Sequence, residues 1–273
     1  MRAAGPDVVT FLQGQLSQEV AGLAVDGSTW ALLLQPQGKV VAFLRVLRTG
    51  DEEFVLETDA GFGPAVIEGL NRFKLRVKCD VDPLAWRCLA VRGPHAAELA
   101  AAGTGHVVVA DWPGLPGADL VGESPEGPAG VRQCSPEAYE AVRIEAGIPV
   151  MGREIDEKTI PAEVGVVERS VSFTKGCYTG QELVARIDSR GGNVARHLRG
   201  VVIAGDGPPA AGATLQSDGK VVGELTSMAA SPGLNATVAL ALVRRAVEPP
   251  AEVVMAWAGG SVPARVEALP LVP

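Results

Sequence analysis

Beyond Arg196 the chain carries no helical periodicity, and this constrains the fold more than any other feature. Short apolar-rich runs follow one another: Leu198 to Ile203, Lys220 to Thr226, Thr237 to Leu242, Val253 to Trp257 and Val262 to Val266. Turn-forming clusters separate them, among them Gly205-Asp206-Gly207-Pro208-Pro209, Ser231-Pro232-Gly233 and Glu248-Pro249-Pro250. Several short strands at this spacing predict a small antiparallel barrel. The domain boundary falls near Asn193 to Leu198, which divides the chain into residues 1–195 and 196–273.

The first part mixes both periodicities. Gly5-Pro6-Asp7 opens a helix with the apolar stripe Val8, Phe11, Leu12 and Leu16. Thr29 to Gln35 and Val40 to Leu47 read as strands around the turn Pro36-Gln37-Gly38-Lys39, and Phe54 to Thr58 continues the meander. Phe62 to Phe73 and Pro94 to Ala102 read as helices, with strands at Leu75 to Val81 and Trp86 to Val91. Pro113 to Gly130, dense in glycine and proline, reads as loops around one short strand, Ala118 to Val121. Ser135 caps a helix that has Pro136 at its first position and stops at Gly147. The expected class is therefore α+β: a two-lobed sheet-and-helix unit followed by the barrel.

With 273 residues, 47% of them apolar, the chain can bury two or three packed units. No run of about 18 apolar residues spans a membrane, and no secretory leader opens the sequence, so a cytoplasmic location is expected. A net charge of −8 argues against a general nucleic-acid coat. Cys79, Cys88, Cys134 and Cys177 suit neither a zinc site nor a disulfide framework. Phosphate-binding glycine loops, Gly-x-Ser-x-Gly and His-Glu-x-x-His are missing, and the three histidines are scattered.

The chemistry gathers at Lys175-Gly176-Cys177-Tyr178-Thr179-Gly180-Gln181-Glu182. Val171 and Phe173 read as a strand end, Thr174 to Thr179 as a loop, and Thr179 with Glu182 as a capping box that starts a helix near Gly180. Cys177 would then lie just before a helix N-terminus with Lys175 nearby, and both favour a thiolate. The alternative is a turn whose cysteine is a small buried hydrophobe. Downstream, Arg186, Arg190, Arg196 and Arg199 place four arginines within fourteen residues. They suit a carboxylate-bearing ligand, a phosphate-bearing partner such as tRNA, or an ordinary solvated face.

The run Lys175-Gly176-Cys177-Tyr178-x-Gly180-Gln181-Glu182 resembles the signature of the YgfZ family of folate-binding proteins, relatives of the glycine-cleavage T-protein (aminomethyltransferase). That family includes mitochondrial assembly factors for four-iron, four-sulfur clusters. Arg143-Ile144-Glu145-Ala146-Gly147-Ile148-Pro149 resembles a segment shared with the T-protein, and further similarity covers almost the whole chain, most weakly from Asp82 to Cys134. In the family a stretch precedes the Gly5-Pro6-Asp7 position, so the N-terminus is expected to be truncated or to have lost a strand.

The resemblance implies a central cavity for tetrahydrofolate or a derivative. Glu145 would hold the aminopteridine end, in a binding set with Arg143, Tyr178, Gln181, Glu182, Arg186 and Arg196. Cys177 with Lys175 would be the working pair. The implied role is a folate-binding accessory factor for assembly or repair of iron–sulfur clusters, with cluster enzymes or assembly factors as partners, tRNA modification affected through them, and no membrane partner. One departure weighs against the T-protein reaction. Where the T-protein carries an aspartate pair, this chain reads Val40-Val41-Ala42-Phe43. A folate-dependent one-carbon transferase or demethylase is thus the alternative, and a chain that is not a conventional enzyme is the expectation.

Overall fold

The computed structural model describes residues 1–110, 112–203 and 212–272, so the expected turn at Gly205 to Pro209 lies outside the described residues. The first lobe contains β1 (Arg2–Ala4), α1 (Val8–Gln15), β2 (Ser28–Leu34), β3 (Val40–Gly50), β4 (Glu53–Glu57), α2 (Gly63–Asn71) and β5 (Asp80–Asp82). Its sheet runs in the order β2-β3-β4-β1-β5. The second lobe contains β6 (Arg87–Arg92), α3 (Ala96–Ala101), β7 (Thr104–Val109) and β8 (Gly117–Glu126), with sheet order β6-β8-β7. α4 (Pro136–Ala146), α5 (Val167–Ser170) and α6 (Gln181–Asp188) connect these lobes to the barrel. The barrel strands are β9 (Arg196–Ile203), β10 (Thr214–Ser217), β11 (Lys220–Ser231), β12 (Ala236–Arg244), β13 (Ala251–Trp257) and β14 (Gly260–Glu267). They close in the order β10-β11-β12-β9-β14-β13, with β10 paired to β13. The expected α+β class with a C-terminal antiparallel barrel is what the structure has.

One strand explains how the barrel joins the rest. β12 is apolar and buried along most of its length rather than alternating. Ala239, Ala241 and Val243 enter the barrel core, while Val238 and Leu240 pack outward with Leu32, Phe43 and Ile144. Successive side chains point to opposite faces, so a strand covered on both sides reads as a continuous apolar run. β2 does the same: Ala31 and Leu33 face α1 and α2, and Leu32 and Leu34 enter the inter-lobe core.

Four local expectations need correction. The strand expected at Leu75 to Val81 shortens to Asp80–Asp82, because Arg76 takes φ +59° and turns the chain with Leu75 exposed. The loops expected between Pro113 and Gly130 contain a ten-residue strand, β8, which is held by pairing on both edges with β6 and β7. No strand ends at Val171–Phe173, because that backbone leaves the single-turn helix α5. The capping box of Thr179 and Glu182 does not form. Gly180 is the cap and has no side chain to accept a capping hydrogen bond, and the Thr179 hydroxyl donates to Gln15 Oε1 at 3.3 Å. The cap at Ser135 stands as read, with its Oγ accepting from the amide of Ala138 at 3.2 Å and Gly147 at φ +74°.

Candidate functional site

A cavity of about 170 Å³ lies where the two sheets meet α4 and α5. Trp30 of β2 and Phe43 of β3 stack in its wall, with centroids 4.6 Å apart and planes at 15°. Arg45 comes from the middle of the apolar strand β3 and is nearly inaccessible to solvent. Its guanidinium donates to Asp119 Oδ2 at 2.7 Å and to Glu57 Oε2. Burial alone would lower its pKa, but the two carboxylates outweigh burial and raise it. Arg92 donates to the other oxygen of Asp119 at 2.7 Å and lies 4.4 Å from the Trp112 ring centroid. Asp59, half-buried, accepts from the amide of Met151 at 2.8 Å. Burial pushes its carboxyl above the ordinary range, and the amide bond offsets this in part.

Arg169 differs from its neighbours. Its guanidinium carbon is 5.1 Å from the Phe43 ring centroid and 5.9 Å from that of Trp30. Burial alone draws its pKa down to about 10. Among the described residues, two buried side-chain nitrogens have no hydrogen-bond partner: Arg169 Nε and Arg92 Nε. Both arginines line this cavity.

The Lys175–Glu182 motif lies elsewhere, anchored at three points. The Lys175 ammonium donates to the carbonyls of Gln13, Leu16 and Gln18 at 2.6, 2.7 and 3.0 Å, where α1 ends. Burial draws it down to about 8, against the opposing charge of Glu19. Tyr178 is buried in the inter-lobe core, which pushes its phenol up to about 12. Gly180, at φ +82°, packs on the tip of the β2–β3 turn: a Cβ there would meet the Gln35 carbonyl at 2.5 Å, so only glycine fits. Between these anchors Cys177 is an exposed free thiol.

The comparisons with known proteins agree with this architecture. The GCVT N-terminal domain matches residues 1–111, and the glycine cleavage T-protein C-terminal barrel domain matches residues 196–273. The tRNA-modifying protein YgfZ of Edwardsiella ictaluri is 30% identical over 216 residues, covering 71% of this chain and 65% of that protein. The chain belongs to the YgfZ-like branch of the glycine-cleavage T-protein family. An uncharacterized protein of Haemophilus influenzae is 28% identical over 69% of this chain and 65% of its own length. The chain thus spans 65% of each of these two curated relatives. The aminomethyltransferase of Thermus thermophilus is 27% identical over 98% of this chain and 83% of that enzyme. In fold, the chain superimposes on the aminomethyltransferase T of Bartonella henselae with a TM-score of 0.83 at 23% identity, over 99% of this chain and 83% of the other.

Within this YgfZ-like chain the residues singled out from the sequence do not form one constellation. Arg143 lines the cavity, yet its donors are engaged by Glu140, Glu154, the Ser227 hydroxyl and the Ile148 carbonyl. Glu145 lies two residues further on α4 and so faces the other way. It lines an open groove of about 1110 Å³ beside Met228, Ala229 and Ala230 of β11. The Gln181 side chain accepts from the amide of Tyr178 at 3.2 Å. Glu182 and Arg186 form an exposed pair one turn apart, and Arg196 donates to Glu163 at 3.0 Å. The cavity residues Trp30, Arg45, Asp59, Arg92, Asp119 and Arg169 come from six separate elements or turns, so no contiguous motif marks them. The signal available was Arg45, a charge inside the apolar run Val40 to Leu47, because such a residue must be paired when buried.

Proposed function

We propose that the chain is a folate-binding accessory protein of the cytoplasm that supports assembly or repair of iron–sulfur clusters, and through them tRNA modification. The reading draws on the YgfZ-like relatives and on one observation above others. An exposed thiol, Cys177, is held on a loop anchored at Lys175, Tyr178 and Gly180. Rigid presentation of an accessible thiol suits transient contact with a partner. One cysteine cannot hold a cluster, which takes about four ligands. Among the described residues no group of three or more His, Cys, Asp or Glu gathers as a metal site. Any cluster contact is therefore shared with a client protein.

The inter-lobe cavity suits the ring end of a reduced folate. At about 170 Å³ it is smaller than the roughly 300–1,000 Å³ of pockets that enclose a whole drug-sized ligand, so the tail would extend outward. Trp30 and Phe43 offer a flat apolar wall, and Asp59 has acceptor capacity left for ring N–H groups. When bound, tetrahydrofolate supplies a carrier for one-carbon groups. The chain's own contribution is to hold the ring, exclude water and keep a carboxyl beside it. That carboxyl is also what favours the second reading, a one-carbon transferase. Asp59 is a titratable group in the cavity, although by the resemblance Ala42 and Phe43 stand where the T-protein has its aspartate pair.

A deletion strain assayed for cluster-enzyme activities tests the role. Cys177→Ser should leave the melting temperature of the purified protein unchanged and fail to restore those activities. Restoration equal to wild type would reduce the motif to a structural turn.

A further inference from the structure

Among the described residues, two groups that line the inter-lobe cavity take part in no ion pair: the carboxyl of Asp59, which accepts from an amide, and the guanidinium of Arg169. Arg45 and Arg92 are matched by Glu57 and Asp119. Arg143 is matched by Glu140 and Glu154. Arg169 has no carboxylate partner among the described residues, and its Nε–H has no acceptor. A guanidinium taken out of water without an anion or a full set of hydrogen bonds is unfavourable. Its contacts with Phe43 and Trp30 offset that only in part. An apolar side chain of equal length would fill the same space without the penalty. The second orphan donor, Arg92 Nε, belongs to another residue of the same cavity wall. Buried unsatisfied donors are uncommon in folded proteins, so two at one small cavity call for a common cause.

We propose that Arg169 and Arg92 donate to the oxygen-acceptor edge of a planar ligand whose ring lies against Trp30 and Phe43. The proposal rests on the folate reading for the ligand's identity, but not for its chemistry. In a reduced folate the acceptor could be the ring oxo group or the carboxylates of the benzoylglutamate portion.

Calorimetric titration of the full chain with tetrahydrofolate, with pterin and with p-aminobenzoylglutamate separates these sources. Wild type, Arg169→Met and Arg92→Met are compared, and the ligand-free proteins are melted. Arg169→Met should weaken tetrahydrofolate about tenfold or more. It should weaken equally the one half-molecule that carries the acceptor, and the ligand-free variant should melt at or above wild type. Unchanged affinity for all three probes in both variants overturns the proposal. So does a ligand-free Arg169→Met protein that melts several degrees lower, which marks a structural cation. If wild type ignores tetrahydrofolate but binds one half-molecule in an Arg169-dependent way, the folate reading falls and the acceptor site stands. If wild type binds none of the three, both fall.

Discussion

Asp59 is a half-buried carboxyl whose only close donor among the described residues is a backbone amide, and burial holds it above its ordinary value of 3.8. Raised in this way, it binds its proton more tightly in the folded chain than in the unfolded one. Its contribution to stability therefore falls as pH rises from about the ordinary value through the raised one, and levels off above that. Asp59→Asn should remove this slope from the pH dependence of melting. The same substitution replaces an acceptor with a donor where ring N–H groups would sit, so tetrahydrofolate affinity should drop about tenfold or more. Glu145→Ala alters the groove on the other side of α4 and should change affinity less. Calorimetry on the two variants checks this, and a larger loss in Glu145→Ala would move the ring into the groove. The resemblance pointed to Glu145 because it stands in a recognisable segment. Asp59 stands in no motif and acquires its setting only when Met151 is brought to it across 92 residues.

At the scale of elements, the motif loop shows what a local pattern tells and what it leaves open. That Gly180 permits a left-handed turn before a helix was legible, because glycine alone tolerates that backbone at no cost. That Gly180 also seats the β2–β3 turn was not, since the partner lies far away in sequence. Lys175 stands two residues from Cys177, which suggests an activated thiol, yet its ammonium reaches the end of α1 instead. Three carbonyls accept from it, where the helix dipole and unpaired carbonyls favour a cation. Lys175→Met should leave those carbonyls without their donor and cost about 1–3 kcal/mol. Thermal melting should show a fall of several degrees, whereas an unchanged melting temperature would mean that water replaces the ammonium freely. The N-cap of α4 and the C-terminal barrel were legible for a different reason. Ser135, Pro136 and Gly147 are short-range signals, and alternating strands with intervening turns need no knowledge of distant partners. β8 was misread because its glycine, serine and proline content speaks of loops, and only pairing on both edges makes it a strand.

For the whole molecule, the cavity exists because three packed units share one core. β2 and β12 are each buried on both faces and bind the first lobe and the barrel into that core, so the cavity wall is set by the fold rather than by a flexible lid. Phe43 stacks on Trp30 and gives that wall a flat apolar surface suited to binding a ring. The central claim is that this inter-lobe cavity holds the ring of a reduced folate against Trp30. The most direct measurement is calorimetric titration of the full chain with tetrahydrofolate, repeated on Trp30→Ala. Saturable binding at micromolar strength that weakens about tenfold or more in the variant is the predicted result. Absence of heat at millimolar ligand, or equal affinity in the two proteins, would contradict it.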